Sequence, residues 1–294
     1  MNESEEVFSQ QKISSSVEKQ IEDAVTPSGE DHVKSWLKKH GVALEMKVAG
    51  AFRKQLSTTG IWSNVDHSRN YVDRNPLTDD ATLRESDVVV RMTKRTVNNV
   101  WVSLWLIAEC KSSSKDAWVL YRGSWDAQPS PLKEFEEGWE IRKANAVNMT
   151  NVEGWTETRL LNSTHLEYCY SATSTNDSTQ PKKGQSGNAK NYAREAILQV
   201  LSAVKGVAAD TPITDDHLTV AIFVPIVITS APLFVVTLQP NGDYEVKPTT
   251  RELLVGRFTA ENEFPRAVWI INEADIDNFA IEYKEALTHL IYRD

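Results

Sequence analysis

The chain has 294 residues, a formal net charge of −9 and 40% hydrophobic residues, enough to build one large core or two small ones. No apolar run is long enough to span a bilayer and no charged-then-apolar leader opens the sequence, so a cytoplasmic protein without a membrane partner is expected. Two cysteines, Cys110 and Cys169, give neither a disulfide framework nor a metal-ligand spacing, and Cys110 is expected to face the core.

The charge is unevenly spread. Residues 1–31 hold eight acids and two bases, a net of −6, which leaves −3 for the rest of the chain. Segment 171–205 carries five bases against two acids. The acidity therefore leaves DNA open as a partner, but it argues against a tight stand-alone binder, which needs many phosphate contacts.

Residues 1–30 are polar and acidic, closed by Pro27-Ser28-Gly29, and are expected to be a flexible segment. The spacing predicts a helix over 31–39 with Val33, Trp36 and Leu37 on one face, then a second over 42–56 built on Leu44, Val48, Ala51, Phe52 and Leu56. Glu45 stands in the first turn of the second helix, where an acid is favoured on helix-dipole grounds alone. Residues 62–76 mix aromatic and polar side chains, with an edge strand expected around 61–65. His67, near several acids there, reads as structural or exposed.

The stretch Asp87–Lys111 carries the strongest signal. Asp87-Val-Val-Val-Arg-Met and Val100-Trp-Val-Ser-Leu-Trp-Leu-Ile-Ala flank the polar Thr93–Asn99, a hairpin pattern. A turn centred near Asn98 brings Asp87 beside Glu109. Glu109 and Lys111 are two apart and leave one face of the strand. Two carboxylates and an ammonium then gather where an apolar run stops, and charges at the end of a buried strand need partners. Paired carboxylates suit Mg²⁺ or Mn²⁺, which take one or two carboxylates, waters and a substrate phosphate. A neighbouring lysine can orient water or balance developing charge. Glu-x-Lys is otherwise often a plain surface ion pair. Glu85, two before Asp87, is the fallback ligand if the register slips.

These residues resemble the PD-(D/E)XK nuclease superfamily, the restriction-endonuclease-like fold, through Asp87, Glu109-Cys110-Lys111 and the order of elements around them. Ser86 stands where that family often has proline. The resemblance implies that Asp87 and Glu109 bind metal and that Lys111 activates water. It further implies that Glu45 can add an acid to the metal site, and that Gln199 can approach it from a covering helix.

Beyond Lys111, a strand is expected over 117–121, followed by an insertion over about 122–190. Within the insertion a helix is expected over 134–141 and short strands over 158–161 and 166–170, with Trp125, Trp139 and Trp155 packing the core or stacking bases. The Ser/Thr/Asn/Gly-rich segment 171–190 reads as a loop. It runs into a helix over 191–205 with a stripe of Tyr192, Ala196, Ile197, Val200, Leu201 and Val204. Lys182, Lys183, Lys190 and Arg194 are candidates for contact with a substrate backbone, or simply solubilise the loop. Strands are expected over 218–229, with Pro225 at a bulge or edge, over 232–238 before the Asn241-Gly242 turn, and over 267–272. A closing helix is expected over 273–292.

The expected fold class is α/β: a mixed central sheet flanked by helices, over residues 31–294, with a restriction-endonuclease-like core and an insertion. The expected activity is a Mg²⁺- or Mn²⁺-dependent endonuclease acting on DNA, with RNA as a second polymer. By resemblance, defence, restriction or repair roles fit. No DNA-reading motif is present, so loops, a homodimer or a partner subunit are expected to supply specificity. The rival expectations are a non-catalytic binding or assembly subunit of the same fold, and a phosphoesterase acting on small nucleotides.

Overall fold

The computed structural model describes residues 27–57, 61–74, 81–96, 98–112, 116–122, 138–147, 149–153, 160, 168–175, 191–213, 218–239, 241–258 and 266–292. The chain divides into two compact units, residues 1–43 and 44–294. In the first lies helix α1 (Pro27–Lys39). Pro27-Ser-Gly, expected to close the acidic segment, instead begins this helix, in keeping with the fit of proline to a first helical turn.

The second unit is built on a mixed sheet of 11 strands. Helix α2 (Val42–Leu56), which lies in it from Leu44 onward, opens it, with the bounds its apolar spacing predicts. Three antiparallel strands follow: β1 (Trp62–Arg74), β2 (Ala81–Arg95) and β3 (Trp101–Lys111). Next come β4 (Trp118–Arg122), β5 (Glu140–Lys143), the two-residue β6 (Val152–Glu153) and β7 (Cys169–Ser174). After helix α3 (Tyr192–Asp210) lie β8 (Thr219–Thr229), β9 (Leu233–Leu238), β10 (Tyr244–Thr249), β11 (Arg251–Gly256) and β12 (Arg266–Asn272). A 3₁₀ turn (Glu273–Asp275), helix α4 (Ile276–His289) and the short β13 (Ile291–Tyr292) end it. The sheet order is β1-β2-β3-β8-β12-β11-β7-β4-β9-β10, with β5 pairing β8 off this path, while β6 and β13 pair separately.

Strand β3 runs parallel to β8, and β8 to β12, so the centre is buried on both faces. That is why β3 and β8 read as almost unbroken apolar runs. One face buries Val88, Val90, Leu104 and Leu106 together with Phe52 of α2 and Phe279 and Tyr283 of α4. The other buries Val89, Trp105 and Ile107 with Ala196, Ile197 and Val200 of α3. Helices thus lie on both faces, and Trp139 is buried in the first of these cores.

Several expectations need correction. Residues 140–141, expected in a helix, are strand; residues 138–139 of that span are described just before it, and 134–137 lie outside the described residues. Trp125, Trp155 and nearly all of 158–161 also lie outside them. The helix expected over 273–292 is a 3₁₀ turn, then α4, then a strand. Pro225 sits at neither a bulge nor an edge, because β3 pairs with β8 continuously across it. On the other flank β5 pairs only as far as Phe223 and β12 starts at Ile226, so a missing N–H there breaks no ladder. The edge strand expected around 61–65 extends to Arg74. No helix among the described residues is long and apolar enough to cross a membrane.

Candidate metal and nucleic-acid site

The β2–β3 hairpin sets the site. Its turn holds Thr96 N–H to the Val100 carbonyl at 2.9 Å and Asn99 N–H to the Thr96 carbonyl at 3.0 Å, with Asn99 in the left-handed region at φ 61°. The register pairs Val88 with Ala108, so the next step along both strands sets Asp87 against Glu109. The side-chain alternation places Asp87, Glu109 and Lys111 on the α3 face, with Val89 and Ile107. Cys110 is buried on the opposite face.

Asp87 accepts a hydrogen bond from the Cys110 backbone N–H at 2.6 Å. Lys111 donates to Glu109, forming an ion pair. Glu109 is 7% exposed. Burial, the Glu109 charge and the Glu45 charge push the Asp87 carboxyl up to about 7, against the pull of the Cys110 amide and Lys111. Glu109 is also raised, first by burial and then by Glu45, although Lys111 opposes the shift. Burial is the largest cause at both groups, and at Asp87 the adjacent Glu109 charge adds to it.

Glu45, in the first turn of α2, bonds His67 of β1, with 2.8 Å between Oε2 and Nε2. Its charge acts on Asp87, Glu109 and Cys110 alike. His67, read from the sequence as incidental, is therefore tied to the acid expected to join the site. The signal was present but faint: an acid and a histidine 22 residues apart give no local pattern. A left-handed Ser68 (φ 60°) lies between the His67–Val88 and Arg69–Ser86 pairs with no change of register, which sets it opposite Asp87; His67 meets Glu45 of α2, while Arg69 lies over Trp105.

The fallback Glu85 is exposed and pairs with Asn70, so it is not drawn in. Gln199 lies at an exposed position of α3, while Ala196, Ile197 and Val200 form the buried stripe. Arg194 is exposed in the first turn of α3, where its N–H is capped by Asn191 Oδ1 at 2.9 Å. Lys182, Lys183 and Lys190 lie outside the described residues.

Mg²⁺ or Mn²⁺ fits the chemistry of Asp87 and Glu109, two hard, largely buried carboxylates side by side, whose proton affinity burial raises. Among the described residues, no group of three or more His, Cys, Asp or Glu is arranged as a metal cage. Such a cage suits other metals better than Mg²⁺, which keeps waters and needs only one or two carboxylates. Comparison with family models, curated proteins and solved structures finds no match for this chain.

Proposed function

We propose that the protein is a metal-dependent endonuclease hydrolysing phosphodiester bonds in DNA, with a restriction-endonuclease-like core. The observation that carries this reading is the hairpin register, which sets Asp87 against Glu109 on one face, with Lys111 bonded to Glu109. Asp87 and Glu109 would hold Mg²⁺ or Mn²⁺, with Glu45 as the third acid. When bound, the metal lowers the pKa of a water and polarises a phosphoryl oxygen. The Cys110 N–H orients Asp87, and Lys111 is positioned to orient water and offset charge gathering on the phosphate. A dimer or a partner subunit would add specificity.

A second reading, a non-catalytic subunit of the same architecture, draws support from the Glu109–Lys111 ion pair. Plasmid and linear DNA incubated with Mg²⁺ or Mn²⁺ separate the two. The nuclease reading expects cleavage by the intact protein and none by Lys111→Ala or Asp87→Asn variants that remain folded. Equal cleavage by all three would overturn it.

A further inference from the structure

The face of the sheet that carries Asp87 and Glu109 holds a second pattern farther along the same strands. Three successive cross-strand pairs of β2 and β3 lie on that face: Arg91 with Trp105, Thr93 with Ser103, and Arg95 with Trp101. The Arg91 guanidinium lies 4.8 Å from the centre of the Trp105 ring and 4.5 Å from that of Trp62 on β1. Arg69 of β1 lies 5.2 Å over Trp105. Arg95 lies 5.8 Å over Trp101. Between the two cation–aromatic pairs, the Thr93 and Ser103 hydroxyls bond each other at 2.8 Å, and Arg91 Nε donates to Thr93 at 3.2 Å.

The charge of this row is poorly offset. Asp66 meets Arg69 at 3.4 Å, but among the described residues neither Arg91 nor Arg95 has a carboxylate partner. Burial and the nearby Arg69 charge lower the Arg91 pKa, a sign that positive charge is crowded there. The aromatic members at the two ends are open, Trp62 at 54% and Trp101 at 36% exposure. From Arg91 to Asp87 is four strand positions, about 13 Å at the usual rise, and Arg95 is about 13 Å farther.

A chain of guanidiniums interleaved with accessible indole rings suits one class of partner, a polyanion that also presents flat π-faces. Resting on the nuclease reading for its direction, we infer that this row seats a single-stranded polynucleotide, running along β1–β3 so that its backbone leads to the Asp87–Glu109 pair. Arg91 and Arg95 meet phosphates, and Trp62 and Trp101 stack bases. Trp105 and the Thr93 hydroxyl hold the Arg91 guanidinium in place. The row carries no fixed pattern of base-edge donors, so it binds without strong sequence preference.

The test is fluorescence anisotropy of the full chain with a labelled oligothymidylate, in EDTA so that binding is read apart from cleavage. Trp62→Ala and Trp101→Ala should each weaken binding roughly five-fold to more than a hundred-fold, the range for losing one stacked base. Arg95→Ala should flatten the slope of log affinity against log salt by about 0.7, the value for one single-strand phosphate. Arg91→Lys keeps the charge but loses the planar stacking group, and should weaken binding without flattening that slope. Lys247→Glu, an exposed site on β10, should change nothing. Heparin, which lacks bases, should compete poorly once salt is raised. Tighter binding of duplex than of single strand, or affinities unmoved in the tryptophan variants with circular dichroism intact, would overturn the inference. Cleavage is scored separately. Row-dependent binding without cleavage refutes the nuclease reading alone, and cleavage with row-independent binding refutes the seat alone.

Discussion

Asp87 shows how one residue links stability to function. Its carboxyl is raised from 3.8 to about 7, so between those values the folded protein holds a proton that the unfolded chain has released. Folding stability must therefore fall as pH rises from about 4 to about 7. We predict this decline in chemical denaturation of the metal-free protein, by a few kcal/mol at most. Asp87→Asn should reduce the decline, leaving the smaller part due to Glu109, and stabilise the metal-free protein above pH 7. The side-chain oxygen of Asn still accepts the Cys110 N–H, which the wild type holds at 2.6 Å, so the hairpin end keeps its bond. A second prediction concerns His67. Its hydrogen bond fixes Glu45 near the pair, so His67→Ala should weaken Mn²⁺ binding by about ten-fold to a hundred-fold in calorimetry, as loss of an orienting partner does. An unchanged affinity would mean that Glu45 takes no part.

The elements differ in how openly the sequence declares them. The β2–β3 hairpin was legible because two apolar runs flank a polar turn and the chain folds about one centre, so the Asp87–Glu109 meeting could be computed by counting. Helices α2 and α3 were legible from their three-and-four spacing. Strands β10 and β11 were not foreseen. Tyr244–Lys247 is exposed throughout, with no buried face to mark it, and β11 buries Leu253, Leu254 and Val255 in succession without alternation. The length of β1 was hidden for a related reason: an edge strand rich in Asp, Asn and Arg carries little apolar period. Gly206 shows a constraint that helix periodicity does not express. A Cβ there would stand 2.3 Å from Cδ2 of the buried Tyr71 and 3.0 Å from the Val72 carbonyl oxygen. The helix therefore lies against β1 through a glycine that it would otherwise disfavour. Gly206→Ala should lower stability by about 1–3 kcal/mol in thermal unfolding, despite alanine's better helix propensity. A more stable variant would mean that α3 shifts freely over β1.

At the scale of the molecule, a mixed sheet with helices on both faces buries its two cores and brings charge to one end of its central strands. The order of strands explains this placement. Strand β3 lies between β2 and β8, so Glu109 is enclosed while Lys111, two residues on, is 31% exposed at its side chain. Such a site can hold a cation against water on one side and protein on the other. Tm should consequently rise with added Mn²⁺, more at pH 8 than at pH 5, because at pH 5 protons already occupy Asp87. The same shift at both pH values would place the metal elsewhere. The most direct test of the central claim is calorimetric titration of Mn²⁺ into the intact protein and into Asp87→Asn at pH 8. A metal held by Asp87 and Glu109 gives a saturable binding heat with the intact protein and an affinity at least ten-fold weaker in the variant. Absence of heat in the intact protein, or equal affinity in both, would contradict the claim.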